Sequence, residues 1–309
     1  RREGARAEDI LLLSVTLALH QQDLTRAATL LGKAGESPHR HYASALLAIV
    51  QGEHAQAQAE LRLAMDGWDP VLRTYARTLL DAYEEYALFP PSPPIHRAPH
   101  RARSLAQVQE CALALPFLSR VTQQQDDYRD AWIVQGYCQL VTERTQEALA
   151  SFERSYTLDP QKPEIQYFLG RTYGAMEDHK NALTFLQYAL MNGFNPEKDV
   201  RRAIAAEAEK AGNVQLAFEQ EKILATASGS DLASIAAFVA LALRAERQND
   251  AFEAAEKATL RWPDSAQAYA LLGSAAEAAG KKDEARSAYG RALELDGSLD
   301  EVKEKLLNL

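Results

Sequence analysis

The sequence predicts an all-α helical solenoid, and three observations carry that expectation. An alanine returns on a fixed period, at Ala114, Ala148, Ala182, Ala217, Ala251 and Ala285, with separations of 34, 34, 35, 34 and 34 residues. Around it, apolar side chains fall at three- and four-residue spacing, as in Leu183, Leu186, Tyr188 and Leu190, and no convincing period-two run interrupts them. Turn chemistry such as Asp159-Pro160, Asn195-Pro196 and Gly212-Asn213 separates the helical runs. A period of this size means that each unit is one helix pair unable to bury its apolar face alone, so that neighbouring pairs must stack.

The elements follow in order. Leu11, Val15, Ala18, Ala27, Leu31 and Ala34 fit one unit starting near Glu8. Tyr42, Ala45, Ala48, Gly52, Ala57, Leu61 and Ala64 fit a second starting near Pro38, so residues 1–69 hold two divergent units. Residues 70–128 are irregular. A helix is expected from about Val71 to Leu88, with Leu72, Tyr75, Leu79, Tyr83 and Tyr86 on one face. A proline run from Phe89 to Pro99 then opens a Pro-rich insertion (89–103), read as a stretch no helix crosses.

The overlapping P-x-x-P spacing of Pro90 to Pro94 would favour an extended polyproline conformation. A stiff insertion packed on the solenoid is the preferred reading. The basic stretch His96 to Arg103 is read as a solvated loop, with contact to an acidic partner as the alternative. Helix resumes at Ser104, an N-cap with Gln107 completing a capping box, and Pro116 breaks it or sits in the first turn of a new helix. Five regular units occupy 129–299, beginning near Arg129, Pro163, Lys198, Leu232 and Ala266. Residues 300–309, with Val302, Leu306 and Leu307 on one face, form a terminal capping helix.

Within the regular units the eighth and twentieth residues are small: Gly136 and Ala148, Gly170 and Ala182, Gly273 and Ala285. Small residues there let the two helices of a pair approach closely, and a bulky side chain would overpack. Trp132, Gly136, Ala148, Phe152 and Asp159-Pro160 recur as Gly170, Tyr173, Ala182 and Leu186, and as Tyr269, Leu272, Gly273, Ala285, Tyr289 and Ala292. This pattern resembles the tetratricopeptide repeat (TPR). The resemblance implies a right-handed α-solenoid of stacked helix-turn-helix TPR units.

It also implies that the first helix of each pair lines a concave groove through its second, fifth, ninth and twelfth positions. In this chain the lining would include Ile133 and Tyr137, Tyr167 and Arg171, and Arg202, with Tyr42 from the amino-terminal units. Chaperone-binding TPR domains hold a terminal carboxylate with Lys at the fifth and Asn at the ninth position. Ile133, Tyr137, Tyr167 and Arg171 stand at those places here, so that clamp is not expected. An extended or helical peptide with apolar anchors and an acidic group suits the lining better.

Net charge is -9, which does not provide the electrostatic footprint of a general nucleic-acid binder. Cys111 and Cys138 lie far apart in sequence on amphipathic helices and are read as buried free thiols, with a disulfide or reactive site as the alternative. No apolar run reaches the length that spans a membrane, and a soluble chain, cytoplasmic or periplasmic and exported, is expected. The chain does not begin with Met, which points to a trimmed or processed form. No phosphate loop, His-Glu-x-x-His or Gly-x-Ser-x-Gly is present, and the pairs His39 with His41 and His96 with His100 lack a third metal ligand nearby. No cofactor, metal or catalytic group is therefore expected. The leading expectation is a non-catalytic adaptor that binds a peptide or partner protein. The alternatives are a self-associating scaffold, motivated by Leu11-Leu12-Leu13, and the recruiting arm of a larger enzyme.

Overall fold

The computed structural model describes residues 2–87 and 94–309, with side chains described for 7–84 and 101–309. Among the described residues the fold is all-α, and clustering of contacts divides the chain into two compact units, Arg1–Pro160 and Gln161–Leu309. In the first unit α1 (Arg2–His20), α2 (Leu24–Lys33), α3 (Pro38–Gln51) and α4 (His54–Ala64) form two helix pairs. They are followed by α5 (Pro70–Ala87), α6 (Pro94–Gln107), α7 (Cys111–Gln124), α8 (Arg129–Val141) and α9 (Thr145–Leu158). The second unit pairs α10 (Pro163–Ala175) with α11 (His179–Met191), and α12 (Glu197–Lys210) with α13 (Val214–Thr226). It then pairs α14 (Leu232–Arg244) with α15 (Gln248–Arg261), and α16 (Ala266–Ala278) with α17 (Lys282–Leu295), before α18 (Asp300–Leu307).

Every alanine of the repeating series sits on the second helix of its pair with 0 % of its surface exposed. Ala27 and Ala57 occupy the same buried place in the two amino-terminal pairs. Opposite them the helices come close enough that a Cβ on Gly136 would meet the Phe152 ring, and one on Gly170 would meet Leu186 and the Ala182 carbonyl. The small residues therefore set the interhelical distance, and the bulky residue four positions on fills what remains.

A second periodicity lies in the backbone. The turn inside each helix pair holds one residue in the left-handed region, at Gln22, Gly52, Gln109, Glu143, Glu177, Gly212, Glu246 and Gly280. There the chain closes the first helix with bonds such as Asn213 N–H to the Ala208 carbonyl, and Asp178 N–H to the Tyr173 carbonyl. Gln109 marks α6 and α7 as such a pair, and the two helices pack together.

That pairing corrects the reading of the irregular region. Residues 94–103, expected within an insertion, belong to α6, and Ala102 on it is fully buried. Ser104 is not an N-cap but an interior residue of that helix, its carbonyl accepting from the Val108 amide at 3.1 Å. The helix opens on Pro94, where a proline's missing N–H costs nothing and its fixed φ suits the first turn. Pro99 lies deeper and gives up one intrahelical bond. The expected polyproline conformation of residues 90–93 lies outside the described residues. By contrast α5 packs on α4 and α6 without a hairpin partner of its own.

Three further expectations change. Pro116 neither breaks a helix nor opens one; it sits inside α7, facing with Ala112 a cavity of about 320 Å³. Cys111 and Cys138 are not free thiols but a disulfide, with Cα atoms 4.9 Å apart, joining the start of α7 to α8. Sequence distance hid the contact because α7 and α8 are neighbours in the stack. On α18 Val302 is buried as expected, whereas Leu307 is 86 % exposed: its place on the short helix turns away from α17. No helix among the described residues is long and apolar enough to cross a membrane.

Candidate functional site

The residues expected to line a groove fall into three environments. Tyr42, on α3, is 2 % exposed and belongs to the core of the first unit. Its hydroxyl has no hydrogen-bond partner among the described residues. Nearby, where α7 returns to α1, His20 Nε2 lies 3.0 Å from Glu110 Oε2. Burial, then the nearby charges of Glu110 and Tyr75, push the Tyr42 phenol well above its ordinary range. In this fold Tyr42 is a core residue and offers no surface to a partner. Ile133 and Tyr137 on α8 are half-buried, and Tyr137 packs against the same core.

In the second unit Tyr167 on α10 is also buried, at 9 % exposure. Its ring stacks on Phe194 with centroids 4.2 Å apart and meets Phe168 edge-on at 5.5 Å. Phe194 follows α11 in a segment that closes over α10, a contact that repeat register alone does not reveal. Arg171, one turn further along α10, is exposed, and its Nη1 donates to the Tyr167 hydroxyl at 3.0 Å. Tyr167 thus holds the arginine in place.

Arg202, exposed on α12, reaches across to the next first helix of a pair, donating to Ser234 Oγ on α14 at 3.0 Å, with Asp231 Oδ2 at 3.6 Å. Asp231 caps α14 through the Ser234 amide and hydroxyl, and those bonds hold its carboxyl below the usual range. Near the arginines the faces of α12 and α14 carry small residues, Ala206 and Ala240, both exposed. Such a surface lets the backbone of a partner approach closely, with guanidinium groups at its edge.

One cluster escaped the sequence reading. Glu207, buried on α12, lies 2.8 Å from His179 Nδ1 and accepts from Lys210 Nζ at 2.8 Å. Burial pushes its carboxyl up, but the bonds to Lys210 and His179 together prevail and hold it below its ordinary value. A Cβ on Gly174 would run into this carboxyl group, so α10 and α12 can meet here only over a glycine. The available signal was the glycine at the twelfth place of its unit. Among the described residues no group of three or more His, Cys, Asp or Glu could hold a metal ion.

Comparison with known proteins places two stretches of these helices in a family. Residues 101–163 and 238–299 match the tetratricopeptide-repeat profile. No curated protein matches the chain. Among solved structures, PilW, described as a widely conserved type IV pilus biogenesis factor, is similar with a TM-score of 0.51 and 17 % identity over 70 % of this chain and 100 % of that one. A tetratricopeptide repeat protein from Parabacteroides merdae is similar with a TM-score of 0.46 and 16 % identity over 88 % of this chain and 98 % of its own. The Cut9-Hcn1 hetero-tetramer of the APC/C gives 0.47 and 13 % over 94 % of this chain, which spans 59 % of the matched chain. On the profile match, residues 101–163 and 238–299 are tetratricopeptide repeats, and helix pairs of the same kind recur through each unit.

Proposed function

We propose that this chain is a non-catalytic adaptor that holds a peptide or partner protein on the first-helix faces of its second unit, with acidic groups of the partner on Arg171 and Arg202. The observation that carries the reading is Arg171, an exposed guanidinium whose side-chain bond goes to a phenol rather than to a carboxylate. A charged donor tethered by a neutral acceptor keeps its positive charge available, and Arg–carboxylate bonds are among the strong, directional ones. The small residues Ala206 and Ala240, exposed on the faces of α12 and α14, leave room for an extended chain beside the arginines.

The reading assigns different parts to residues that register alone treats alike. Tyr167 positions Arg171 and is not itself an anchor. Cross-linking in source-cell lysate followed by mass spectrometry identifies the partner, and binding is then measured with purified components. Arg171→Ala is expected to weaken capture by about tenfold, which is about 1.4 kcal/mol, while the far-ultraviolet circular dichroism stays unchanged. Lys180→Ala, exposed on α11, serves as the control and is expected to bind as the parent does. Unchanged capture by an Arg171→Ala, Arg202→Ala double variant sinks the reading.

A further inference from the structure

Ala225 stands where other repeats carry bulk. It lies eight residues after the repeating Ala217, and the corresponding places hold Tyr156, Leu190, Thr259 and Leu293, all larger than alanine. Leu190 and Leu293 pack against buried apolar clusters of their own repeats. At Ala225 only a methyl group is present, and a cavity of about 440 Å³ opens beside it between α13 and α15. The opposite wall is also short. Ala254 follows Ala251 by three residues, where earlier repeats carry Ser151, Phe185 and Gln220. Ile235 and Phe238 of α14, both buried residues, line the cavity as well, so its interior is apolar.

The charges at the rim do not cancel. Lys222 pairs with Asp250 at 3.0 Å, and Lys257 pairs with Glu253 at 2.6 Å. Arg261 instead donates to neutral acceptors, Ser230 Oγ at 3.0 Å and the Ser228 carbonyl at 3.4 Å, and its guanidinium carbon lies 4.8 Å from the centroid of the Trp262 ring. The rim therefore presents one positive charge without a carboxylate partner of its own, held beside an apolar cavity. A cation finds both rim carboxylates already paired, and a dianion meets Asp250 and Glu253 at close range. The volume is within the range of sites for small molecules.

We propose that this cavity binds a small apolar monocarboxylate, its hydrocarbon part between Ala225 and Ala254 over Phe238 and its carboxylate on Arg261. The ligand is a free acid rather than the end of a polypeptide. This site uses the second helices of two pairs and is independent of the adaptor reading.

Decanoate is the probe, titrated into the full chain and followed by amide chemical shifts and calorimetry, with decanol and a peptide ending in Leu-Phe carboxylate as comparisons. Saturable one-to-one binding is expected, with shifts centred on Ala225, Phe238 and Ala254. Decanol, the peptide and the Arg261→Gln variant are each expected to bind at least tenfold more weakly. Ala225→Leu, which supplies the side chain that Leu190 and Leu293 place here in their own repeats, is expected to abolish binding while the thermal midpoint stays level or rises. Non-saturating shifts, undiminished binding to Ala225→Leu, or tighter binding of the peptide than of decanoate each overturn the proposal. Should Ala225→Leu fail to fold, the exposed Arg261→Gln variant decides it: decanoate affinity equal to the parent's refutes the site.

Discussion

Ala182 packs with no exposed surface between α10 and α11, and its carbonyl lies where a Cβ on Gly170 would fall. A leucine at that crossing has nowhere to go without moving a helix, so Ala182→Leu is expected to destabilise by about 1–3 kcal/mol. Lys180→Ala, on the exposed side of the same helix, is expected to change stability by less than about 0.5 kcal/mol. Chemical denaturation of the two variants side by side measures the difference, and equal midpoints would refute the register. Glu110 makes a different demand. Burial raises its carboxyl above the ordinary value of 4.5, although the bond and charge of His20 oppose that rise. Above pH 4.5 the folded state holds this proton more tightly than the unfolded chain, so its contribution to stability falls as pH climbs toward the folded value. Glu110→Gln keeps a hydrogen-bonding partner for His20 without the buried charge. Its stability is therefore expected to gain on the parent's as pH rises from about 4.5, in thermal melts at successive pH values. The sequence offered no sign of this pair, because His20 and Glu110 are far apart in the chain and meet only when α7 returns to α1.

The helix pair is the element that repeats, and its turn is as regular as its core. Three of the turns place glycine in the left-handed region, whereas Gln22, Gln109, Glu143, Glu177 and Glu246 adopt it with a side chain. An L-residue pays about 1–2 kcal/mol in that region, and a glycine loses part of the advantage through its freer unfolded chain. Glu177→Gly is therefore expected to stabilise by about 0.5–1 kcal/mol, seen as a higher denaturation midpoint with no change in helical content. A lower midpoint would mean that the Glu177 side chain holds the turn through contacts of its own. The same turn explains why α6 was hard to read. Its sequence carries Pro94 and Pro99, and prolines argue against helix locally. What the helix gains is tertiary: Ala102 and Leu105 bury completely against their neighbours. Local propensity is a weak prior once such a face is covered.

Over the whole chain, cooperativity in a repeat array runs from neighbour to neighbour. One buried apolar cluster runs from Val15 to Cys138, and the three others lie between Tyr167 and Val302, so each compact unit carries core of its own. Residues 161–309 expressed alone are expected to fold, giving a helical circular dichroism spectrum and a single sigmoidal urea transition. A non-cooperative melt would show that the division does not mark an independent folding unit. The one-dimensional sequence determined the all-α class, the period, the buried alanines and the regular helix pairs. Each rests on spacing within one or two helices, and such contacts are written in adjacent residues. Only the tertiary structure decided that Cys111 meets Cys138, that Tyr42 and Tyr167 are covered while Arg171 and Arg202 stay exposed, and that Glu207 gathers His179 and Lys210. Register assigns a residue to a helix face, but its exposure depends on what other helices and loops lay over that face. For Tyr167 that cover is Phe194, brought there by packing of a segment outside the residue's own helix.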